Sequence, residues 1–172
     1  MHFKPLLCAG ALAFLSVASQ AENLTIDVPL IPNPSIAGAY SAAWGATHLE
    51  AGAFTDTITF SGSTGGIFDG SLVSIGFTPS TDIDFTSLTI NGQAYQVTSS
   101  GAVELATFKP EWMSAPLVLS VGGIAAPTLT AGSAISASYA GTANLSPVPE
   151  PHTMLLAALG VVCIVGRRRF GA

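Results

Sequence analysis

The strongest constraint on the fold is a strict alternation of side chains in the segment Phe54–Phe60, which is Phe-Thr-Asp-Thr-Ile-Thr-Phe. Three large apolar side chains and Asp56 fall on one side of this segment and three threonines on the other. This two-residue period is that of a β-strand and does not fit a helix. Between residues 22 and 148 no stretch has a convincing helical period, and the 16 Ser and 15 Thr there favour strands with a hydroxylated outer face. We therefore predict an all-β fold.

Turn signals divide the same region into eight candidate strands. Asn91-Gly92 lies between two of them and is the clearest hairpin signal, because both residue types tolerate the positive φ angles of a type I′ turn. The glycines at 62–66 and 122–123 are expected to lie in loops. Eight short strands predict a single β-sandwich or jelly-roll-like domain. The candidate strands are Leu24–Leu30, Phe54–Phe60, Gly70–Phe77, Ile83–Ile90, Gln93–Thr98, Ala102–Phe108, Pro116–Val121 and Ala134–Ala143.

The alternation places Asp56 on the apolar face, so its carboxylate is expected to enter the core or its rim. A buried carboxylate needs partners, and Lys109 is the only Lys or Arg between residues 22 and 148. Because the ion-pair option is nearly exhausted, the remaining partners are backbone N–H donors or a bound Ca²⁺, unless the group is protonated. His48, the only histidine of this region, is expected in a loop or at the surface.

The segment 82–90 changes phase in mid-strand. Its first two large apolar residues occupy odd positions and its last two occupy even positions, so a regular strand would place them on opposite faces. A one-residue β-bulge near Thr86-Ser87 would restore a single core face. The same arrangement directs Asp82 and Asp84 together toward solvent.

Residues 1–21 have the pattern of a secretory signal peptide. A short basic start precedes the apolar run Leu6–Ala18, and small residues stand three and one positions before a predicted signal-peptidase cut after Ala21. Cys8 does not fit a lipid-anchor site, because Leu7 precedes it where a small residue is needed. The predicted division of the chain is a signal peptide (1–21), a β-sandwich domain (22–146) and a C-terminal segment (147–172).

The C-terminal segment combines two prolines around Glu150, the apolar run Met154–Val165 and an arginine cluster. As a helix, the apolar run spans only about 20 Å, which is short of a hydrocarbon core of roughly 30 Å. The arginines would stay cytoplasmic, and the prolines would keep an extended, protease-accessible strip outside the membrane. We predict that this segment is a sorting signal rather than a permanent anchor. Its predicted signal residues are Pro149, Glu150, Pro151, Arg167, Arg168 and Arg169.

This order of features resembles the PEP-CTERM sorting signal of Gram-negative bacteria. The resemblance implies recognition by exosortase, a membrane-embedded cysteine transpeptidase, in organisms that tend to produce exopolysaccharide. The stretches 51–56 and 82–86 also resemble the FxDxF family of PEP-CTERM proteins, although Ile58 stands where the second Phe of that name is expected. The FxDxF resemblance implies a location and a context, and it implies no reaction.

The remaining sequence argues against most enzyme and nucleic-acid functions. Ten acidic residues against five basic ones give a net charge of −5, which disfavours binding through phosphates. Residues 22–148 contain no Cys and one His, so both nucleophilic catalysis and transition-metal binding lack their usual groups. A polysaccharide hydrolase needs only two carboxylates and stays open as an alternative. We expect no enzymatic activity, no catalytic residue and no nucleic-acid partner.

Two ligand classes have candidate residues. Ca²⁺ is the one cofactor considered, with Asp56, Asp82 and Asp84 as candidate ligands, because these acids lack cationic partners. The simpler expectation is no cofactor and two solvated aspartates. Aromatic side chains could stack on sugar rings, with Trp44 and Trp112 as the main candidates.

We therefore predict an exported, non-enzymatic protein of the cell surface or extracellular matrix. Signal peptidase and exosortase are its expected partners during export. It would be held at the inner membrane transiently, with its domain in the periplasm, before it reaches the surface and associates with exopolysaccharide or a biofilm. The alternatives are a carbohydrate-binding module and, second, a polysaccharide-acting hydrolase.

Overall fold

The computed structural model describes residues 20–62, 65–99 and 101–148, together with residues 156, 158 and 159. The described part of the chain is nearly all β and confirms the predicted β-sandwich. Its strands are β1 (Thr25–Pro29), β2 (Ile31–Pro32), β3 (Tyr40–Glu50), β4 (Gly52–Ser61), β5 (Gly65–Ile75), β6 (Ile83–Ile90), β7 (Gln93–Ala94), β8 (Val97–Ser99), β9 (Val103–Ser114), β10 (Leu117–Ala125) and β11 (Ala134–Ser146).

The strands form two sheets. One sheet has the order β1-β4-β10-β6-β7, and the other has the order β2-β3-β11-β5-β9-β8. Strand β1 runs parallel to β4, and the other pairings are antiparallel. Because neighbours in the sheets are seldom neighbours in the chain, most of the core is built from contacts between distant segments.

The core lies between the sheets and follows the two-residue period of the strands. In β4 the side chains of Phe54, Ile58 and Phe60 point inward and are almost fully buried, as the sequence predicts. Asp56 shares that inward face and is also buried. Strand β11 contributes Tyr139 and a row of small residues from the opposite sheet.

Two local predictions in β6 and its turn are confirmed. Asn91 and Gly92 connect β6 to β7 with φ angles of 48° and 82°, so both adopt the left-handed conformation that a type I′ hairpin requires. In the pairing of β6 with β10, Gly122 faces Ser87 and Gly123 faces Phe85. Thr86 is therefore the extra residue of a β-bulge, which keeps all four apolar residues of β6 on the core side.

The bulge also explains a second buried acid. A residue beside a bulge loses regular ladder pairing, and the Phe85 N–H instead donates to the buried carboxylate of Glu104 on β9. Phe85 and Glu104 lie on strands of different sheets, so this hydrogen bond joins the two layers of the sandwich.

Several strand boundaries differ from the predictions. Strand β3 is missing from the predicted set, because Ala42 and Ala46 alternate with other small residues and give little hydrophobic contrast. Strand β9 continues through Lys109–Trp112, where a register shift against β5 accommodates Pro110. The predicted strand Gln93–Thr98 is divided between β7 and β8.

Glycines expected in loops also lie inside strands. Gly65 and Gly66 begin β5, and Gly122 and Gly123 lie within β10. A Cβ on Gly123 would stand 2.7 Å from the ring of Phe54 and 2.9 Å from a backbone oxygen of β6, so glycine is required there by close packing.

Candidate functional site

A polar cluster around Asp56 joins the two sheets across the core. The Asp56 side chain is 0% exposed, and its Oδ1 accepts a hydrogen bond of 2.8 Å from the Leu24 N–H, just before β1. Its Oδ2 accepts a hydrogen bond of 2.5 Å from the Tyr139 hydroxyl of β11. The same oxygen lies 3.0 Å from Nε2 of His48 on β3. One carboxylate therefore links the opposite sheet and the N-terminal segment to β4.

The protonation of this cluster follows from its donors and acceptors. Burial, with the hydrogen bond to Asp56 and the charge of that carboxyl adding to it, raises the pKa of Tyr139 well above its usual value, so the hydroxyl keeps its proton and donates. An ionised carboxylate only accepts hydrogen bonds, so the His48 ring must carry a proton on Nε2 to donate to it. In the described structure the other ring nitrogen, Nδ1, is buried without a hydrogen-bond partner.

Aromatic rings enclose the cluster. The His48 ring stacks on Phe54 with centroids 3.9 Å apart and planes 30° apart. Tyr139 makes edge-to-face contacts with Trp44 at 5.9 Å and with Phe85 at 5.5 Å. Because His48 is only 2% exposed and Asp56 is fully covered, a substrate cannot reach these groups without opening the core. The arrangement is suited to fastening the two sheets together.

The structure corrects the prediction for His48. This residue lies in strand β3, not in a loop, and it is buried against Asp56. The predicted burial of Asp56 is confirmed, and a backbone N–H donor, one of the three possibilities left open by the sequence, is present. The partner His48 was missed because β3 itself was missed, although Ala42, Trp44, Ala46 and His48 do alternate inward at the period of a strand. Tyr139 lies on a predicted strand, but the sequence does not indicate that this strand packs opposite Asp56.

The three candidate calcium ligands do not converge. Asp82 and Asp84 flank the buried Ile83, so their carboxylates lie on the outer face of a sheet, whereas Asp56 points into the core. Burial and the charge of Asp84 raise the pKa of Asp82. Across the residues that the structure describes, no group of three or more His, Cys, Asp or Glu side chains is placed to hold a metal.

The two candidate glycan-stacking tryptophans differ sharply in solvent exposure. Trp44 is 8% exposed. Its ring packs so closely on Gly141 that a Cβ on this glycine would stand only 2.5 Å from the nearest ring atom. Its face is therefore covered by the core and is not open to a sugar. Trp112 is 62% exposed and lines a surface groove of about 260 Å³ with Tyr40 and Pro147.

The two ends of the chain are only partly within the described residues. Ala21, the last residue of the predicted signal peptide, is buried, and its N–H donates to the carbonyl of Ala53 at 3.0 Å. The predicted sorting residues Pro149, Glu150, Pro151, Arg167, Arg168 and Arg169 lie outside the described residues. Within the described ranges, no helix has the length and hydrophobicity needed to cross a membrane.

Comparison with protein families gives one match. A family model described as the PEP-CTERM protein-sorting motif matches residues 147–169, which supports the predicted sorting signal. The motif indicates a protein that is exported and sorted by exosortase to the surface or the extracellular space. The match covers the sorting segment only, so the FxDxF subtype stays a prediction. Comparisons with curated proteins and with solved structures gave no significant match.

Proposed function

We propose that this protein is a non-catalytic structural component of the cell surface or extracellular matrix, associated with exopolysaccharide or a biofilm. The observation that carries the proposal is the position of the sorting motif, which begins at residue 147 directly after β11 ends at Ser146. The whole sandwich therefore precedes the motif and is the part that exosortase would deliver. Signal peptidase and a transient stay at the inner membrane precede that step in the proposed route.

The outer face of the sheet containing β3, β11 and β5 supports an association with polysaccharide. Hydroxyl groups pair across these strands, with Thr47 2.9 Å from Ser138 and Ser71 3.0 Å from Thr142. Each hydroxyl can both donate and accept a hydrogen bond, as sugar hydroxyls do. Such a surface can exchange hydrogen bonds with a hydrated glycan without the cost of burying a charge.

Cell fractionation tests the sorting step. Glu150→Ala is expected to leave the protein in the inner membrane at a higher mass than the wild type, because it removes the one charge between the two prolines. Glu50→Ala, a change of an exposed acid in the domain, is the matched control and is expected to sort normally. If wild type and Glu150→Ala reach the same compartment at the same mass, the proposed role of Pro149–Pro151 is wrong.

Matrix association has a separate test. In cells that make no exopolysaccharide, the correctly processed protein is expected in the medium instead of the surface fraction. Retention of the processed protein on such cells would contradict an association with exopolysaccharide and would leave the sorting step unaffected.

A carbohydrate-binding module is the second candidate function, and the exposure of Trp112 favours it. Aromatic faces at a groove can stack on sugar rings, and Trp112 is available for this while Trp44 is not. If the Trp112 groove holds the sugar, Trp112→Ala abolishes glycan retention in affinity electrophoresis. Phe77→Ala is the control, because Phe77 is an aromatic residue that is 81% exposed and lies outside that groove. Equal retention of both variants would argue against Trp112 as a stacking platform.

We propose further that the folded domain needs no resident cofactor. The alternative is Ca²⁺ at Asp82 and Asp84, where a cation would relieve the repulsion between the two carboxylates. The melting temperature is expected to be the same in chelator and in millimolar Ca²⁺. A higher melting temperature in Ca²⁺ than in chelator, with the difference lost in Asp84→Asn, would establish the calcium site instead.

A further inference from the structure

We propose that a cleft at one open edge of the sandwich binds a neutral sugar unit of a polysaccharide. The cleft has a volume of about 390 Å³ and is lined by residues of β7, β8 and β9 and of the link between β7 and β8, mainly Gln93, Tyr95, Gln96, Thr98, Lys109 and Glu111. This volume falls within the usual range of small-ligand sites, about 300–1,000 Å³. The proposal rests on the second candidate function, carbohydrate binding, and places the sugar in this cleft instead of in the Trp112 groove.

The cleft lies where a long polymer can reach it. Strand β7 is the edge of one sheet and β8 is the edge of the other. The side chain of Gln93 on β7 donates to Glu111 on β9, so the two sheet edges are joined where the cleft lies. A glycan chain can cross such an edge without entering the core.

Glu111 provides an oriented hydrogen-bond acceptor. Its Oε2 accepts a hydrogen bond of 2.5 Å from Nε2 of Gln93 and a weaker one of 3.4 Å from the hydroxyl of Tyr95. Burial and the neighbouring Glu111 carboxylate raise the pKa of Tyr95, so its hydroxyl remains a donor. No residue of the described chain donates to Oε1 of Glu111, which leaves that oxygen free for a ligand hydroxyl.

Lys109 provides the complementary donor. It is the only Lys or Arg among residues 22–148, which contain nine acids, yet its ammonium forms no ion pair with any described residue. Lys109 and Glu111 line the same cleft without forming a salt bridge. A ligand that bonds to both therefore displaces only water and breaks no existing ion pair.

The chemistry of the cleft favours a neutral sugar over an acidic one. Each sugar hydroxyl donates one hydrogen bond and accepts others, so sugar hydroxyls match the acceptor of Glu111 and the donor of Lys109 that line this cleft. The opposite charges of Lys109 and Glu111 offset each other in the cleft. A uronate carboxylate is therefore disfavoured by the net charge of −8 on residues 22–148 (one Lys against nine acids). The Tyr95 ring, set edge-to-face against Phe108 at 5.1 Å, adds a fixed apolar surface for the sugar ring.

Direct binding to the full chain, purified in mild detergent, tests the proposal. The probes are soluble fragments of a glucan, a galactomannan and alginate, a polyuronate, measured by titration calorimetry. We expect binding of a neutral glycan that weakens at least tenfold in both Glu111→Ala and Lys109→Met. Glu50→Ala removes an exposed acid elsewhere and is expected to bind as the wild type does. Melting curves confirm that each variant is folded.

Three results would overturn the site. One is binding of alginate in preference to both neutral glycans, and another is the absence of binding to any probe. The third is neutral-glycan binding that survives either cleft variant, and its loss in Trp112→Ala would then move carbohydrate recognition to the Trp112 groove. Since the assay uses purified protein, a failure of exosortase sorting in cells does not affect it.

Discussion

At the scale of single residues, the carboxylate of Asp56 matters most because it is fully covered and still hydrogen-bonded on both oxygens. Taking a carboxylate out of water costs several kcal/mol, and that cost is offset only when enough donors face it. The Leu24 N–H, the Tyr139 hydroxyl and the His48 ring meet this need from three separate segments. Each donor is therefore expected to contribute more to stability than an exposed hydrogen bond does.

Tyr139→Phe isolates one of these donors. The change keeps the ring and its contacts but removes the 2.5 Å hydrogen bond to Asp56, so we expect the free energy of unfolding at pH 7 to fall by about 1.5–3 kcal/mol. Urea denaturation measures this loss. Tyr40→Phe is the control, because the Tyr40 hydroxyl makes no side-chain hydrogen bond to any residue that the structure describes.

The pH dependence of the same variant gives a sharper test. The pKa of Tyr139 is raised by burial and by Asp56, so the stability that its hydroxyl contributes is fully present below the unfolded pKa of about 10. It is lost as the pH rises above that value, by up to about 1.4 kcal/mol per pH unit. Tyr139→Phe should therefore lose stability less steeply than wild type above pH 10. Equal slopes would contradict the role assigned to this hydroxyl.

At the scale of elements, the sequence predicts strands well where apolar and polar side chains contrast strongly. Strand β4 and the bulge at Thr86 follow from the alternation of large apolar residues. Strand β3 has the same period, but alanines on both faces hide it. His48, the partner of Asp56 on β3, was missed for this reason. In addition, no local pattern indicates which distant strand will lie opposite a buried acid.

The bulge in β6 leads to a prediction about single-residue deletions. Removing Thr86 converts β6 into a regular strand that still directs all four of its apolar residues inward, so the domain should fold. We expect a loss of about 1–3 kcal/mol, because the Phe85 N–H that now bonds to Glu104 would be realigned.

Removing Thr89 is the matched deletion in the same strand. It would reverse the direction of Ile90, which is fully buried, and shift the Asn91-Gly92 turn by one residue. We expect this variant not to fold cooperatively. Circular dichroism with urea denaturation compares the two deletions, and similar losses in both would show that Thr86 is not a removable bulge residue.

At the scale of the whole molecule, charge is distributed very unevenly. Residues 22–148 carry nine acids and a single Lys, and that Lys forms no ion pair with any residue that the structure describes. The surface acids therefore repel one another with almost no cation to compensate. Such self-repulsion favours solubility but destabilises the compact state.

Salt should consequently stabilise this protein. Between 0.01 M and 0.15 M NaCl the screening length falls from about 30 Å to about 8 Å, so repulsion between exposed acids weakens while the buried Asp56 cluster is little affected. We expect the melting temperature to rise by about 2–4 °C, which corresponds to roughly 1 kcal/mol for a domain of this size. The double variant Asp27→Asn, Glu50→Gln removes two exposed acids and should show a smaller rise. An equal rise in both proteins would point to a general effect of salt on burial, and a fall would mean that favourable surface charge pairs outweigh the repulsion.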